Sequence, residues 1–316
     1  MAAALGHRGP DDRGWHVDGA IGMAHSRLSI IDPAGGHQPM ANRHGSVWIT
    51  YNGEIFNYLE LRADLERKGH RFTTQSDTEV IVHLYEEHGE DCVLALNGQW
   101  AFGIWDSARR RLFMSRDRLG VRPLFFSTSG DRFVFASEIK AILSDPRVSR
   151  EIDLKALDQI FTFWVPIAPR TILKNVSELA PGHSMTVDAA GCRTYAYWKP
   201  EYHPASDRAA SDDAAVGRRA DDLLNLLVDA TRLRLRSDVP VGAYLSGGLD
   251  SSVITAIVKR LTDTPLRTFS VAFEEPEFDE TRYQNEVVAS LGTDHTSVRC
   301  SAADIARTFP EVVWHA

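Results

Sequence analysis

Hydrophobic and polar positions follow two different rhythms along this chain. Up to about residue 200 the apolar runs are short. VWITYN (47–52), WAFGIWD (100–106), RLFMSRD (111–117), PLFFS (123–127) and RFVFAS (132–137) are rich in β-branched and aromatic residues. Turn residues such as SGD at 129–131 separate them, and each predicts a strand. Two stretches show helical spacing instead. NYLELRADLERKG (57–69) places Tyr58, Leu61 and Leu65 on one face, and TEVIVHLYEEHG (78–89) does the same with Val80, Ile81, Leu84 and Tyr85; both end in glycine. Strands in series with helices grouped apart predict a layered α+β domain.

Residues 200–217, PEYHPASDRAASDDAAVG, carry few large apolar side chains and read as a linker. Beyond them helix and strand patterns alternate. RRADDLLNLLVDATRLRLRS reads as an amphipathic or buried helix. VPVGAYLS and RTFSVAF alternate as strands do, and HTSVRC is a third candidate. SSVITAIVKRL and DETRYQNEVVASLG have helical periods between them. This βαβαβ order predicts a parallel sheet with helices on its faces.

One loop in that order carries chemistry. In YLSGGLDSSVIT (244–255) two glycines, an aspartate and serines stand where a strand gives way to a helix. Ligands of open α/β sheets bind beyond the carboxyl ends of strands. Glycine lets backbone approach an anion, and a helix N-terminus offers unpaired N–H groups. The loop therefore suits a phosphate or pyrophosphate. It lacks the lysine of a Walker A loop and the spacing of a dinucleotide loop. Asp250 would repel a bare phosphate, and its presence fits a Mg²⁺ ion travelling with a nucleotide. The plain alternative is a strand-to-helix turn with Asp250 or Ser251 as N-cap.

Composition narrows the partners. The chain has 316 residues, 43% hydrophobic and 25% charged, with a net charge of −8. That is room for about two domains of ordinary soluble composition. ARRRL (108–112) is the densest basic cluster, too short for a nucleic-acid footprint. No apolar run reaches the length of a membrane span, and the start of the chain lacks a signal-peptide pattern. Cys92, Cys192 and Cys300 are far apart, which predicts buried free thiols in a reducing cytoplasm. The 12 histidines show no H-E-x-x-H spacing and take no metal role at this level.

SGGLDSS resembles the pyrophosphate loop of the ATP-pyrophosphatase group. HRGPDDRG (7–14), RLSIID (27–32), YNGEIFNYLELR (51–62), SDTEVI (76–81), NGQWAFGIWD (97–106) and SRDRLGVRPLFF (115–126) resemble, in order, the glutaminase domain of glutamine-hydrolysing asparagine synthetase. The resemblance implies an α+β N-terminal-nucleophile (αββα sandwich) domain at 1–199, the linker at 200–217, and part of an α/β parallel-sheet ATP-pyrophosphatase-like domain at 218–316. It implies glutamine, aspartate and ATP as substrates and Mg²⁺ as cofactor. Ammonia from glutamine would amidate aspartate through β-aspartyl-AMP, releasing AMP, pyrophosphate and glutamate. It implies no nucleic acid or membrane partner; dimers are common in the family.

By motif, Arg27 would hold the glutamine α-carboxylate, since a guanidinium fork matches a carboxylate. Asn52 and Gly53 would form the oxyanion hole. Glu54 and Asp77 would bind the α-amino group. Leu245 and Val271 would meet adenine and ribose through backbone groups, Ser246, Gly247, Gly248, Leu249, Asp250, Ser251 and Ser252 would hold pyrophosphate, and Asp250 a magnesium ion. Each has a plainer reading: a surface ion pair for Arg27, a hairpin turn at Asn52-Gly53, a helix cap at Ser76 or Asp77, core for Val271.

Two departures from the family pattern stand out. The family's nucleophile is the cysteine of Cys-Gly-Ile, preceded by nothing and followed by strands; neither the cysteine nor those strands occur here, and Cys92 and Cys192 match no such motif. The acidic loop and acceptor pocket that follow in the family are also not in this sequence. The reading is thus a fragment of an asparagine synthetase, incomplete for catalysis. Its alternatives are an amidotransferase with another carboxylate acceptor, or a non-catalytic protein that binds ATP or glutamine.

Overall fold

The structure is a computed structural model, and it describes residues 1–202, 213–261 and 266–315. The chain divides into two units, Met1–Pro204 and Ala205–Ala316. Most of the expected linker, residues 203–212, lies outside the described residues. Its last part is helical, because a helix already begins at Asp213.

In the first unit the strands are β1 (Asp12–Asp18), β2 (Ile21–Arg27), β3 (Met40–Ala41) and β4 (Val47–Ile55). Helices α1 (Tyr58–Arg67) and α2 (Asp77–His88) follow, then β5 (Gly98–Asp106), β6 (Arg111–Arg116), β7 (Phe125–Ser129) and β8 (Arg132–Ala136). Helices α3 (Ile139–Ile142) and α4 (Leu154–Phe163) precede β9 (Ser177–Glu178), β10 (His183–Asp188) and β11 (Gly191–Ala196). A six-stranded sheet has the order β11-β10-β6-β5-β4-β3, a three-stranded sheet the order β8-β7-β9, and β1 and β2 form a hairpin.

Alternation along the strands builds the layers. Trp100, Phe102 and Ile104 of β5 face α1 and α2, where they pack with Leu65, Val80, Ile81 and Leu84. Ala101 and Trp105, on the opposite face, pack with Leu112, Met114 and Met185, and Phe126, Phe133 and Phe135 of the smaller sheet close over them. A Cβ at Gly103 would meet the Phe135 ring at 2.9 Å, so the missing side chain lets the sheets approach. Behind the smaller sheet, Ala141 and Ile142 of α3 pack with Ala136 and Val176. The result is the expected αββα sandwich.

The second unit holds α5 (Asp213–Arg234), β12 (Gly242–Tyr244), α6 (Leu249–Leu261), β13 (Arg267–Phe273), α7 (Thr281–Leu291), β14 (Asp294–Cys300) and α8 (Ala302–His315). Its three strands are parallel, in the order β12-β13-β14, as the alternation predicted. Helix α5 is largely exposed rather than buried, with Leu226 69% accessible. Among the described residues no helix is long and apolar enough to cross a membrane. Of the thiols only Cys92 is buried; Cys192 is exposed and Cys300 intermediate, so the expectation of buried thiols holds for one of them.

Candidate functional site

The first unit contains an open cavity of about 1650 Å³, lined among others by Arg27, Asn52, Gly53, Glu54 and Asp77. All five glutamine-site candidates therefore converge on one space. The strand edge explains how. Among the described residues β4 pairs with β3 only at Trp48 and Ile49, whereas β5 runs beside it from Val47 to Ile55. From Tyr51 onward the other edge of β4 faces the cavity. Two side chains cap it: Gln38 Oε1 accepts the Tyr51 N–H at 2.7 Å, and Asp77 Oδ2 accepts the Ile55 N–H at 3.0 Å. Backbone N–H groups of alternate residues in an antiparallel strand point the same way. The Gly53 N–H, midway between those two, therefore points to the cavity as well.

Asn52-Gly53 is thus not a turn; it lies within β4, opposite Ala101 and Trp100. A Cβ at Gly53 would overlap the Gln99 carbonyl oxygen and come within 2.8 Å of Trp100 Cα. The Asn52 amide nitrogen is buried and has no hydrogen-bond partner. A buried donor left unpaired costs about 1–3 kcal/mol, which a ligand oxygen can offset. A backbone N–H and an amide N–H at neighbouring positions have the form of an oxyanion hole.

Asp77 begins α2, and Ser76 caps it: the Ser76 hydroxyl accepts the Thr78 N–H at 3.2 Å. The cap choice left open by sequence falls on Ser76, and Asp77 is released for the cavity. Its carboxylate accepts from the Tyr51 hydroxyl at 2.9 Å and from Ile55 N–H, and among the described residues no cation pairs with it. Burial raises its pKa above the ordinary value, while those hydrogen bonds pull the other way. A buried carboxylate with neutral partners favours a cationic ligand group.

Arg27 is buried, not a surface group. Its Nη1 donates to Pro33 O at 3.1 Å, and its Nη2 donates to Ile31 O at 2.9 Å and Asp32 O at 2.8 Å. Of five N–H donors, Nε–H and one on Nη1 remain for a ligand. A bidentate fork on a carboxylate would need one of those carbonyls to let go. Beside it, burial and then the Arg27 charge lower the His25 pKa to about 4, so that imidazole is neutral at pH 7.

Sequence reasoning missed Gln38, Tyr51 and Arg122. Arg122 lines the cavity with a buried Nε that has no hydrogen-bond partner. Its loop is organised by the Asp117 carboxylate, which accepts the N–H groups of Leu119, Val121 and Arg122. Tyr51 and Arg122 lie inside the quoted motifs YNGEIFNYLELR and SRDRLGVRPLFF, whereas Gln38 lies outside all of them and carried no sequence signal.

In the second unit the glycine loop joins β12 to α6. The helix begins at Leu249, which puts Asp250 and Ser251 in its first turn rather than before it. Gly247 has φ +87°, and a Cβ there would come within 2.9 Å of Tyr283 Cβ and 3.0 Å of Gln284 N. This position requires glycine for its conformation and for the approach of α7. The loop is bonded to itself: Gly248 N donates to Ser246 Oγ at 3.3 Å, and Ser251 and Ser252 Oγ donate to Gly248 O at 3.2 and 2.7 Å. The serine hydroxyls must turn to serve an anion. Leu249 is 79% accessible and Asp250 is exposed.

Leu245 is buried, its N–H donates to Phe269 O, and its carbonyl accepts from Ser270 Oγ. Val271 is 47% accessible, so it is not core, and its carbonyl accepts from Gln284 Nε2 at 3.1 Å. These backbone groups are largely engaged within the protein.

Residues 1–198 match the family described as Glutamine amidotransferase domain, and residues 222–316 the family described as Asparagine synthase. Asparagine synthetase (glutamine-hydrolyzing) 1 of Bacillus subtilis (strain 168) is 37% identical over 100% of this chain and 49% of its own length. Enzyme 3 of that name and strain is 38% identical over 99% of this chain and 53% of its own. Asparagine synthetase (glutamine-hydrolyzing) 2 of Arabidopsis thaliana is 34% identical over 100% of this chain and 50% of its own. The chain thus spans about half the length of these relatives. Among solved structures it resembles a B. subtilis glutamine phosphoribosylpyrophosphate amidotransferase, at 17% identity, 93% of this chain, 61% of that chain and a TM-score of 0.45.

Fold and family match together define a glutamine amidotransferase domain built as an αββα sandwich, followed by a parallel-sheet segment of a synthetase domain. The chain belongs to the glutamine amidotransferase domain family through residues 1–198, and its residues 222–316 match the asparagine synthase family, an order similar to that of glutamine-hydrolysing asparagine synthetases.

Proposed function

We propose that this chain carries the glutamine site and the pyrophosphate loop of a glutamine-dependent asparagine synthetase. The reaction would amidate aspartate through β-aspartyl-AMP and release AMP, pyrophosphate and glutamate. The observation that carries the reading is the pairing, in one cavity, of a buried carboxylate that lacks a cation with a buried amide donor that lacks an acceptor. A free amino acid with a side-chain carboxamide supplies both: an α-ammonium for Asp77 and Glu54, and a carbonyl oxygen for Asn52 Nδ2 and Gly53 N–H. Arg27 would hold the α-carboxylate through its remaining N–H groups.

None of the three cysteines lines that cavity. Burial also raises the Cys92 thiol pKa far above its ordinary value, which keeps it inert. In this reading the residues named supply binding and carbonyl polarisation, and no cysteine thiol among the cavity's lining residues supplies the nucleophile of hydrolysis.

At the second site Asp250 fits a Mg²⁺ ion, since an exposed carboxylate in the first helical turn is a hard oxygen ligand. The ion, when bound with ATP, neutralises phosphate charge beside that carboxylate. Gly247 and Gly248 would let the backbone approach the pyrophosphate, and Ser246, Ser251 and Ser252 would donate after turning outward. Leu245 and Val271 would border the nucleoside.

Calorimetric titration of the chain with L-glutamine, and separately with MgATP, tests both halves. Saturable heat is expected for each. No heat at millimolar ligand would reject the corresponding site.

A further inference from the structure

Outside the cavity, two histidines and a glutamate meet where the turn after α1 packs on α2. His70 Nδ1 lies 3.1 Å from His83 Nδ1. Glu86 Oε2 lies 2.8 Å from His83 Nδ1 and 3.8 Å from His70 Nδ1. Tetrahedral zinc with bonds of about 2.0–2.1 Å places its donor atoms about 3.3 Å apart. The three separations bracket that value.

The outward-facing nitrogen of His70 fixes the protonation of that ring. His70 Nε2 lies 2.8 Å from Glu87 Oε1, a carboxylate that must receive a proton. His83 Nε2 is buried without a hydrogen-bond partner, with Glu79 Oε1 3.7 Å away. Glu79 is fixed in place by the N–H and hydroxyl groups of Thr73 and Thr74. Glu86 is oriented by Asn42 Nδ2, which donates to its other oxygen at 2.8 Å. When both imidazoles carry their proton on Nε2, the Nδ1 lone pairs point at each other and at a carboxylate. Such a group repels itself unless a proton or a metal ion lies among the three atoms. Imidazoles whose second nitrogen faces a carboxylate form the surroundings typical of metal-ligating histidine.

We propose that His70 Nδ1, His83 Nδ1 and Glu86 Oε2 bind a divalent transition-metal ion of the zinc class, with water in the fourth position. The three carboxylates of Glu79, Glu86 and Glu87 face this group, and of the cations around it Lys68 pairs with Glu87 at 3.6 Å while Arg62 lies over the Phe72 ring that packs on His83. A divalent ion balances that charge. It ties the 68–76 turn to α2, the helix that carries Asp77 into the cavity. Sequence reading gave the histidines no metal role because His70 and His83 are 13 residues apart, with no motif spacing.

The test is zinc binding by the chelator-stripped chain, measured in competition with a chromophoric chelator, with cobalt(II) as spectroscopic probe. One zinc per chain at submicromolar Kd, a higher melting temperature with zinc, and visible cobalt bands of four-coordinate intensity are expected. His70→Ala, whose side chain is 15% accessible on the turn after α1, is expected to weaken binding by at least about tenfold, with the metal-free melting temperature measured alongside. Glu86→Gln guards against a folding defect in that variant and is expected to weaken binding as well. Absence of stoichiometric zinc in the wild type overturns the proposal. So does equal binding by wild type and both variants, since the ion would then sit elsewhere. A cluster stabilised only by a proton would show no zinc effect and no cobalt bands.

Discussion

The Tyr51 hydroxyl donates to Asp77 Oδ2 at 2.9 Å, and the same oxygen accepts the Ile55 N–H at 3.0 Å. One carboxylate thereby joins the first residue of α2 to the open edge of β4. Because burial raises the Asp77 pKa, its charged form destabilises the fold. For a carboxyl whose folded pKa lies above the unfolded one, stability is greatest below the unfolded pKa and is lost as pH rises through the folded pKa. Asp77→Asn keeps an acceptor oxygen for both donors. Its melting temperature is expected to equal or exceed that of the wild type at pH 7, with the difference shrinking toward pH 4. Thermal scans across that range check this.

Asn52→Ala removes a buried donor that has no partner in the free protein. Stability is expected to stay level or rise, because the desolvation cost of about 1–3 kcal/mol disappears with the group. Glutamine affinity should fall roughly threefold to tenfold, the equivalent of one neutral hydrogen bond. Melting curves and calorimetry on the same preparation separate the two effects.

Ser76→Ala deletes the cap of α2 and should cost about 1 kcal/mol. Urea unfolding would register it as a lower midpoint at unchanged slope.

Neighbouring glycines of the loop should behave differently. Gly247→Ala places a side chain at φ +87° against Tyr283 and Gln284, and is expected to cost about 1–3 kcal/mol and weaken MgATP binding. At Gly248 an added Cβ meets only Ser246 Oγ, at 3.4 Å, so Gly248→Ala should be mild in stability. Paired melting and MgATP titrations check the contrast.

The legible parts of the sequence were those with a strong period. VWITYN and WAFGIWD alternate because one face packs on helices and the other on a second sheet, and both became central strands. The hairpin of β1 and β2 was not foreseen, since Trp15 and Val17 are exposed at 77% and 68% and leave no apolar rhythm. Asn52-Gly53 carries the signal of a turn, yet tertiary pairing places it mid-strand. Motif resemblance therefore identified the residues around the cavity, which local pattern alone reads as a turn and a cap, while their convergence depends on long-range contacts such as Tyr51 with Asp77. The His70–His83 pair is of the same kind.

The central claim is that Asp77 receives the α-ammonium of glutamine, and a double comparison tests it most directly. L-glutamine and its analogue lacking the α-amino group, 4-carbamoylbutanoate, are titrated into wild type and Asp77→Asn. The account predicts that the substitution lowers L-glutamine affinity by about tenfold to a hundredfold, the range of a hydrogen bond to a charged group, and leaves analogue affinity nearly unchanged. Equal L-glutamine affinity in both proteins, or an equal loss for both ligands, would contradict it.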